Sequence, residues 1–158
     1  MKTECFICNG DADYSMSGVW FCDRHWEHGN PACISFTAAL IPVPKGRPRF
    51  YRRGRVVGTF TPQETIKFEN SLMALARPHA PLNPIERPIK LWLQFRLPTK
   101  KQRDYHDVRP DLDNLVKSAI DPLNGLFWKD DALIWDLKAT KYFDNNVGIT
   151  YVIGWERG

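Results

Sequence analysis

No stretch of this chain is apolar for long enough to span a bilayer, and no secretory leader pattern opens it. That removes membrane functions and points to a cytoplasmic protein. Glycine-rich phosphate loops, internal repeats and low-complexity tracts are missing too, and no Ser/His/Asp set stands in a hydrolase-like context. Cysteine is scarce. The four cysteines all lie within the first 33 residues, and in a reducing compartment disulfides explain them less well than a metal does. Acid is absent from one region: between Glu27 and Glu64 there is none.

That acid-free region carries Lys45, Arg47, Arg49, Arg52, Arg53 and Arg55, with Phe50 and Tyr51 among them. Cations spaced in this way supply phosphate contacts, hence affinity and salt sensitivity rather than base specificity, and the rings offer surfaces on which unpaired bases stack. The stretch reads as a nucleic-acid-binding arm in preference to a solvated basic loop. The overall charge of +4 is mild by comparison. With 158 residues, 43% hydrophobic and 13% aromatic content, the chain is long enough for one main core plus a small appended module.

Residues 109–141 concentrate the chemistry. After Pro110, which disfavours helix at its predecessor, Leu112, Leu115, Val116, Ala119, Ile120 and Leu123 recur at helical spacing and predict one buried stripe. Asp111 is the expected N-cap, while Asp113 and Lys117 stand four apart on the polar face. Asn124-Gly125 is a stop signal, and the loop 126–129 returns the chain so that Asp130 and Asp131 face the helix start. Pro122 falls where the stripe still runs and predicts a kink or an end near Asp121. Carboxylates in this number beside a lysine suit Mg²⁺ or Mn²⁺ and phosphodiester hydrolysis. The competing explanation is an ordinary solvated ladder of Asp113, Lys117 and Asp121.

The first 33 residues read C5-F-I-C8, then thirteen residues, then C22-D-R-H25. Two such pairs can present four ligands tetrahedrally to Zn²⁺, with Cys5, Cys8, Cys22 and His25 as the expected set and His28 or Cys33 as substitutes for His25. A module this small would draw much of its folding free energy from the metal. Residues 1–33 are thus expected to form a zinc-binding module and 34–158 the main domain.

Within that main domain, the run DLDNLVKSAIDPLNGLFWKDDALI resembles the signature of the RusA family of Holliday-junction resolvases. The family combines a D-x-D-N-L-x-K block, a D-x-L element, an aromatic and a D-D-x-x-V/I block. The resemblance extends to PVPKGRPR at 42–49, to Thr61-Pro62 and to Lys141. It implies that Asp111, Asp113 and Asp131 are the catalytic metal-binding carboxylates and Lys117 the catalytic lysine, with Asp130, Asn114 and Asp121 in support. Lys45, Arg47, Arg49, Arg52, Arg53 and Lys141 are assigned to DNA. The family further implies a homodimer acting on four-way junctions in DNA recombination and repair. Two opposed nicks would leave 5′-phosphate and 3′-hydroxyl ends. Alternatives of other kinds are a fork or flap nuclease with the same site, and a catalytically weak junction-binding protein that recruits a partner through the zinc module.

The remaining pattern predicts an α+β fold, a mixed sheet with two helices on its apolar face. Ile34, Phe36, Ala38 and Leu40 alternate as a first strand ending at Pro42, and residues 49–60 form a hairpin about Arg53-Gly54. Thr61 as N-cap, Pro62 at the first helical position and Glu64 at the third start a helix running to about Arg77, with Phe68, Leu72, Leu75 and Ala76 inward. A strand covers 89–97. After the second helix, residues 133–139 and 147–155 alternate about Asp144-Asn145-Asn146 and predict a closing hairpin. Trp92, Trp128 and Trp135 are expected in core or interface.

Overall fold

The computed structural model describes residues 4–6, 11–12, 14–16, 19–21, 33–98 and 106–155. Its elements are β1 (Tyr14–Met16), β2 (Val19–Phe21), β3 (Cys33–Ala38), β4 (Arg49–Arg53), β5 (Val56–Phe60), α1 (Gln63–Ala76), β6 (Ile89–Leu97), α2 (Leu112–Ile120), β7 (Ile134–Phe143) and β8 (Gly148–Trp155). The central sheet has four strands in the order β3, β8, β6, β7; β8 is antiparallel to both neighbours, and β6 and β7 are parallel. This is a mixed sheet with two helices, as the sequence predicts.

Alternation along β6 decides the faces. Ile89, Leu91, Leu93, Phe95 and Leu97 are buried in the main core, where α1 contributes Phe68, Leu72 and Ala76 and α2 contributes Leu115 and Ala119. A strand's period of two sends the intervening Trp92, Gln94 and Arg96 to the opposite face. Lys90, also on that face, is nonetheless buried; its ammonium pairs with Asp136 at 3.2 Å and lies 5.0 Å over the Trp135 ring. At the centre of the core the Phe36 ring stacks on Tyr151 and Phe127, 4.7 and 5.1 Å between centroids.

Three expectations need correction. The last two strands are not a hairpin: β8 lies between β3 and β6, and β7 is the edge strand. The connection passes across the end of β6, held by the Asp144 amide donating to the Leu97 carbonyl at 2.9 Å and by Arg96 Nε donating to the Asn146 carbonyl at 2.9 Å. Burial explains the order, because β8 is largely buried on both faces and takes the interior place, whereas β7 is half exposed. Helix α1 begins one residue later than expected. Pro62, with φ −56° and ψ 140°, occupies the cap position, its carbonyl accepts from the Ile66 amide at 3.2 Å, and no side chain caps the end. Thr65 rather than Leu75 completes the inward row with Phe68, Leu72 and Ala76; Leu75 falls off that row and is exposed.

Of the tryptophans, Trp128 is fully buried, its indole N–H donating to Asn124 Oδ1 at 2.7 Å, whereas Trp135 is 63% exposed. In the N-terminal region, β1 and β2 pair antiparallel, and the Phe6 amide donates to the Trp20 carbonyl at 2.7 Å. Cys5 and Ala12 are buried with Val152, against Phe6, Cys33 and Trp92. This small cluster covers part of the sheet face that the helices leave open.

Candidate active site

The helix that carries the expected carboxylates is set at both ends by its sequence. Asp111 takes the N-cap position in extended conformation, and its carbonyl accepts from the Leu115 amide at 3.2 Å. Its carboxylate makes no capping hydrogen bond, so an exposed anion stands at the positive end of α2 without being used to close it. At the other end Pro122 stops the α-helix, which passes into a tight turn over Asp121–Leu123 and still buries Leu123.

The return loop is held by specific bonds. Gly125 adopts φ 76°, a conformation costly for any residue with a β-carbon, and its amide donates to the Trp128 carbonyl at 2.7 Å. Ile85 and the loop exchange two backbone bonds: the Ile85 amide donates to Phe127 at 2.9 Å, and the Lys129 amide to Ile85 at 3.0 Å. Asp130 then caps the short turn Asp131–Leu133 by accepting from the Ala132 amide at 2.8 Å.

The result is an open cleft of about 730 Å³ lined by Asp113, Lys117, Asp121 and Asp131, with an apolar side made by Leu112, Val116 and Ile120 of α2 and Leu137 and Ala139 of β7. The expected stripe therefore serves two surfaces: Leu115, Ala119 and Leu123 are fully in the core, and Leu112, Val116 and Ile120 border both the core and the cleft. Asp111 stands at the helix start and is not among the lining residues. Among the described residues, no three His, Cys, Asp or Glu side chains are grouped closely enough to hold a metal ion. Hard carboxylate oxygens in an open cleft fit an ion that takes one or two protein carboxylates and completes its shell with water and phosphate; they do not form a closed cage.

The solvated ladder is not present either. Among the described residues Lys117 pairs with neither Asp113 nor Asp121. Asp121 instead meets Lys45 at 3.1 Å, and the same ammonium reaches Glu69 on α1 at 2.5 Å. Burial alone would lower the Lys45 pKa, but the hydrogen bonds its ammonium donates to Glu69 and Asp121, together with the charges of those carboxylates, outweigh it and the net shift is upward. The segment around Lys45 is docked by its backbone as well. The Lys45 amide donates to the Asn114 carbonyl at 2.9 Å, and Ser118 Oγ donates to the Val43 carbonyl at 2.6 Å.

Beyond this base the basic arm stands apart. β4 and β5 form a two-stranded sheet of their own, turned at Gly54 with φ 64°. Arg47, Arg49, Arg52 and Arg53 are exposed, as is Phe50 at 78%. Lys141, assigned to DNA from the sequence, is oriented inward: its ammonium donates to the Val108 carbonyl at 2.8 Å and the Pro110 carbonyl at 2.7 Å. Neither this clamp nor the Lys45 bridge has a signal in the sequence, since each joins residues far apart in the chain.

Of the expected zinc ligands, Cys5 is described and buried; Cys8, Cys22 and His25 lie outside the described residues, as does His28. Cys33, the substitute expected for His25, is half-buried at the start of β3, and burial pushes its thiol up to about 12.

An acidic cleft on an α+β domain beside a basic arm is an arrangement suited to acting on nucleic acid. The family model described as "Endodeoxyribonuclease RusA" matches residues 40–153, and the chain belongs to that family. It is 30% identical over 135 residues to a Bacillus subtilis (strain 168) relative named "Uncharacterized protein YqaN", covering 77% of this chain and 95% of that one. It is likewise 30% identical over 105 residues to the "Crossover junction endodeoxyribonuclease RusA" of Escherichia coli (strain K12), covering 64% of this chain and 78% of the relative. Among the described residues, no helix is long and apolar enough to cross a membrane.

Proposed function

We propose that the protein is a divalent-metal-dependent, structure-selective endodeoxyribonuclease that resolves four-way DNA junctions by paired nicks. The observation that carries this reading is the convergence of Asp113 and Lys117 from α2 with Asp131 from the return loop on one open cleft, in a chain of the RusA family. Asp111, Asp113 and Asp131 would hold Mg²⁺ or Mn²⁺. Such an ion, when bound, neutralises charge on the scissile phosphate and lowers the pKa of a water. Lys117 offers its ammonium to the charge that develops on the transferred phosphate or the leaving oxygen. Arg47, Arg49, Arg52 and Arg53 grip phosphates of the junction arms. One carboxylate set per chain, against two strands to cut, favours a homodimer whose twofold axis matches that of the junction.

The test is cleavage of junction, fork, flap and linear duplex DNA with Mg²⁺. Paired symmetric nicks in the junction, faster than any cut in the others, are expected; equal or faster cutting of forks or flaps would replace the junction assignment. For residues 1–33 the reading is a zinc module held by Cys5, Cys8, Cys22 and His25 and appended to the nuclease domain at 34–158. Elemental analysis should find one zinc per chain, lost in Cys22→Ser. Its absence from carefully purified full-length protein overturns the ligand set.

A further inference from the structure

The bonds of Lys141 carry an assignment different from DNA contact. We propose that Lys141 is a positioning residue for cleavage, whose ammonium fixes the peptide between Pro110 and Asp111 and so the placement of the Asp111 carboxylate; the proposal rests on the nuclease reading above. Lys141 follows Leu137 and Ala139 at intervals of two on β7 and leaves the sheet on the face that lines the cleft. Its Nζ donates to Pro110 O at 2.7 Å and to Val108 O at 2.8 Å. The first of these oxygens belongs to the peptide group whose nitrogen is that of Asp111, so holding it fixes the plane from which Asp111 projects. These are charge-assisted bonds, about twice as strong as neutral ones.

The location is otherwise poor for a cation. A positive charge beside a helix N-terminus opposes the helix dipole, so the dipole gives no reason for a lysine there. Hydrogen bonding to the two carbonyls does. Two of the three ammonium donors are taken by backbone carbonyls, which leaves one for any phosphate. Arg47, Arg49, Arg52 and Arg53, by contrast, are exposed on the arm.

The experiment uses full-length protein and two substitutions. Lys141→Met keeps the length of the stem and removes charge and donors; Lys141→Arg keeps both. Single-turnover nicking of a four-way junction at saturating enzyme, junction affinity without Mg²⁺, and the slope of log affinity against log salt are measured for each. Lys141→Met should nick at least about tenfold more slowly, the scale on which residues supporting a ligand act, with affinity and slope as in wild type. Lys141→Arg should recover most of the rate. A wild-type rate in Lys141→Met, or a salt slope reduced by about 0.9 as when one phosphate is no longer neutralised, would overturn the proposal.

An independent readout is hydrogen exchange at the Leu115 amide, which donates to the Asp111 carbonyl. Faster exchange in Lys141→Met and near wild-type exchange in Lys141→Arg support positioning; unchanged exchange in Lys141→Met overturns it. This readout needs no cleavage, so it still decides the role of Lys141 if the wild type nicks no DNA and the nuclease reading fails. Should Lys141→Met not fold, Lys141→Gln is compared with Lys141→Arg by the same criteria.

Discussion

The segment that presents the carboxylates and the arm that presents the arginines are built in opposite ways. Around α2 the backbone is held on every side: Lys141 binds the entry, Ile85 brackets the return loop, and Asp130 caps the turn before β7. The arm is a separate two-stranded sheet in which every residue of β4 is exposed. A hairpin with so little packing is marginal by itself, and its shape adapts at small cost. Reacting groups require placement to a fraction of an ångström, whereas phosphate contacts tolerate a range of distances. Rigid chemistry and a compliant grip should therefore fail differently when altered.

The largest effect is expected at the cleft. Asp113→Asn and Asp131→Asn each keep side-chain shape and remove a charge that a cation needs, so nicking should fall by about a thousandfold, at the upper end for loss of a single transition-state stabiliser. Junction affinity should hold or rise, because the basic arm is untouched. A wild-type nicking rate in either variant would remove that residue from the catalytic set.

Lys117→Ala should follow, with about a hundredfold loss of rate and metal affinity kept or raised, since a lysine near carboxylates repels a bound cation and its removal ends that repulsion. Among the described residues the Lys117 ammonium makes no ion pair, so its removal should change thermal stability little. Unchanged turnover with a lowered melting temperature would reverse the assignment and make Lys117 structural.

The arm should show the converse. Neutralising Arg47, Arg49, Arg52 and Arg53 together should weaken binding to every DNA and flatten the salt dependence by about 0.9 for each phosphate that is no longer neutralised. Nicking at saturating enzyme should persist. A salt slope equal to wild type would move the DNA path to another surface.

Legibility in the sequence follows the range of the interaction. The strand at 89–97, the arm turning at Gly54 and the stop at Pro122 all rest on local chemistry, namely alternation, positive φ and a missing amide, and each stands where the sequence puts it. The closing hairpin does not, because a turn between alternating strands is equally compatible with a connection that passes over a third strand; only the two-sided burial of β8 separates the two. Local spacing also places Asp113 and Lys117 on one helix face, and the return loop brings Asp131 to them. Spacing does not show that Asp121 pairs with Lys45 rather than Lys117, because that pair joins two elements far apart in the chain.

Lys45 stands where the two regions join, and it gives the smallest but sharpest contrast. Although it belongs to the basic stretch by sequence, its charge is matched by Glu69 and Asp121 across α1 and α2. Lys45→Met should therefore leave the salt slope of DNA binding unchanged, unlike the arginine variant, and lower stability by about 1 kcal/mol, the upper value for partly exposed pairs. The pH dependence has a definite sign. The folded-state pKa of Lys45 is raised, so the contribution is fully present below the ordinary lysine value near about 10.4 and fades as pH climbs through the raised value. Melting curves of wild type and Lys45→Met should differ by a constant amount from neutral pH to about 10 and converge above it. A flattened salt slope in Lys45→Met, with no loss of melting temperature, would return Lys45 to the DNA-binding arm and move the boundary between the two regions to the helices themselves.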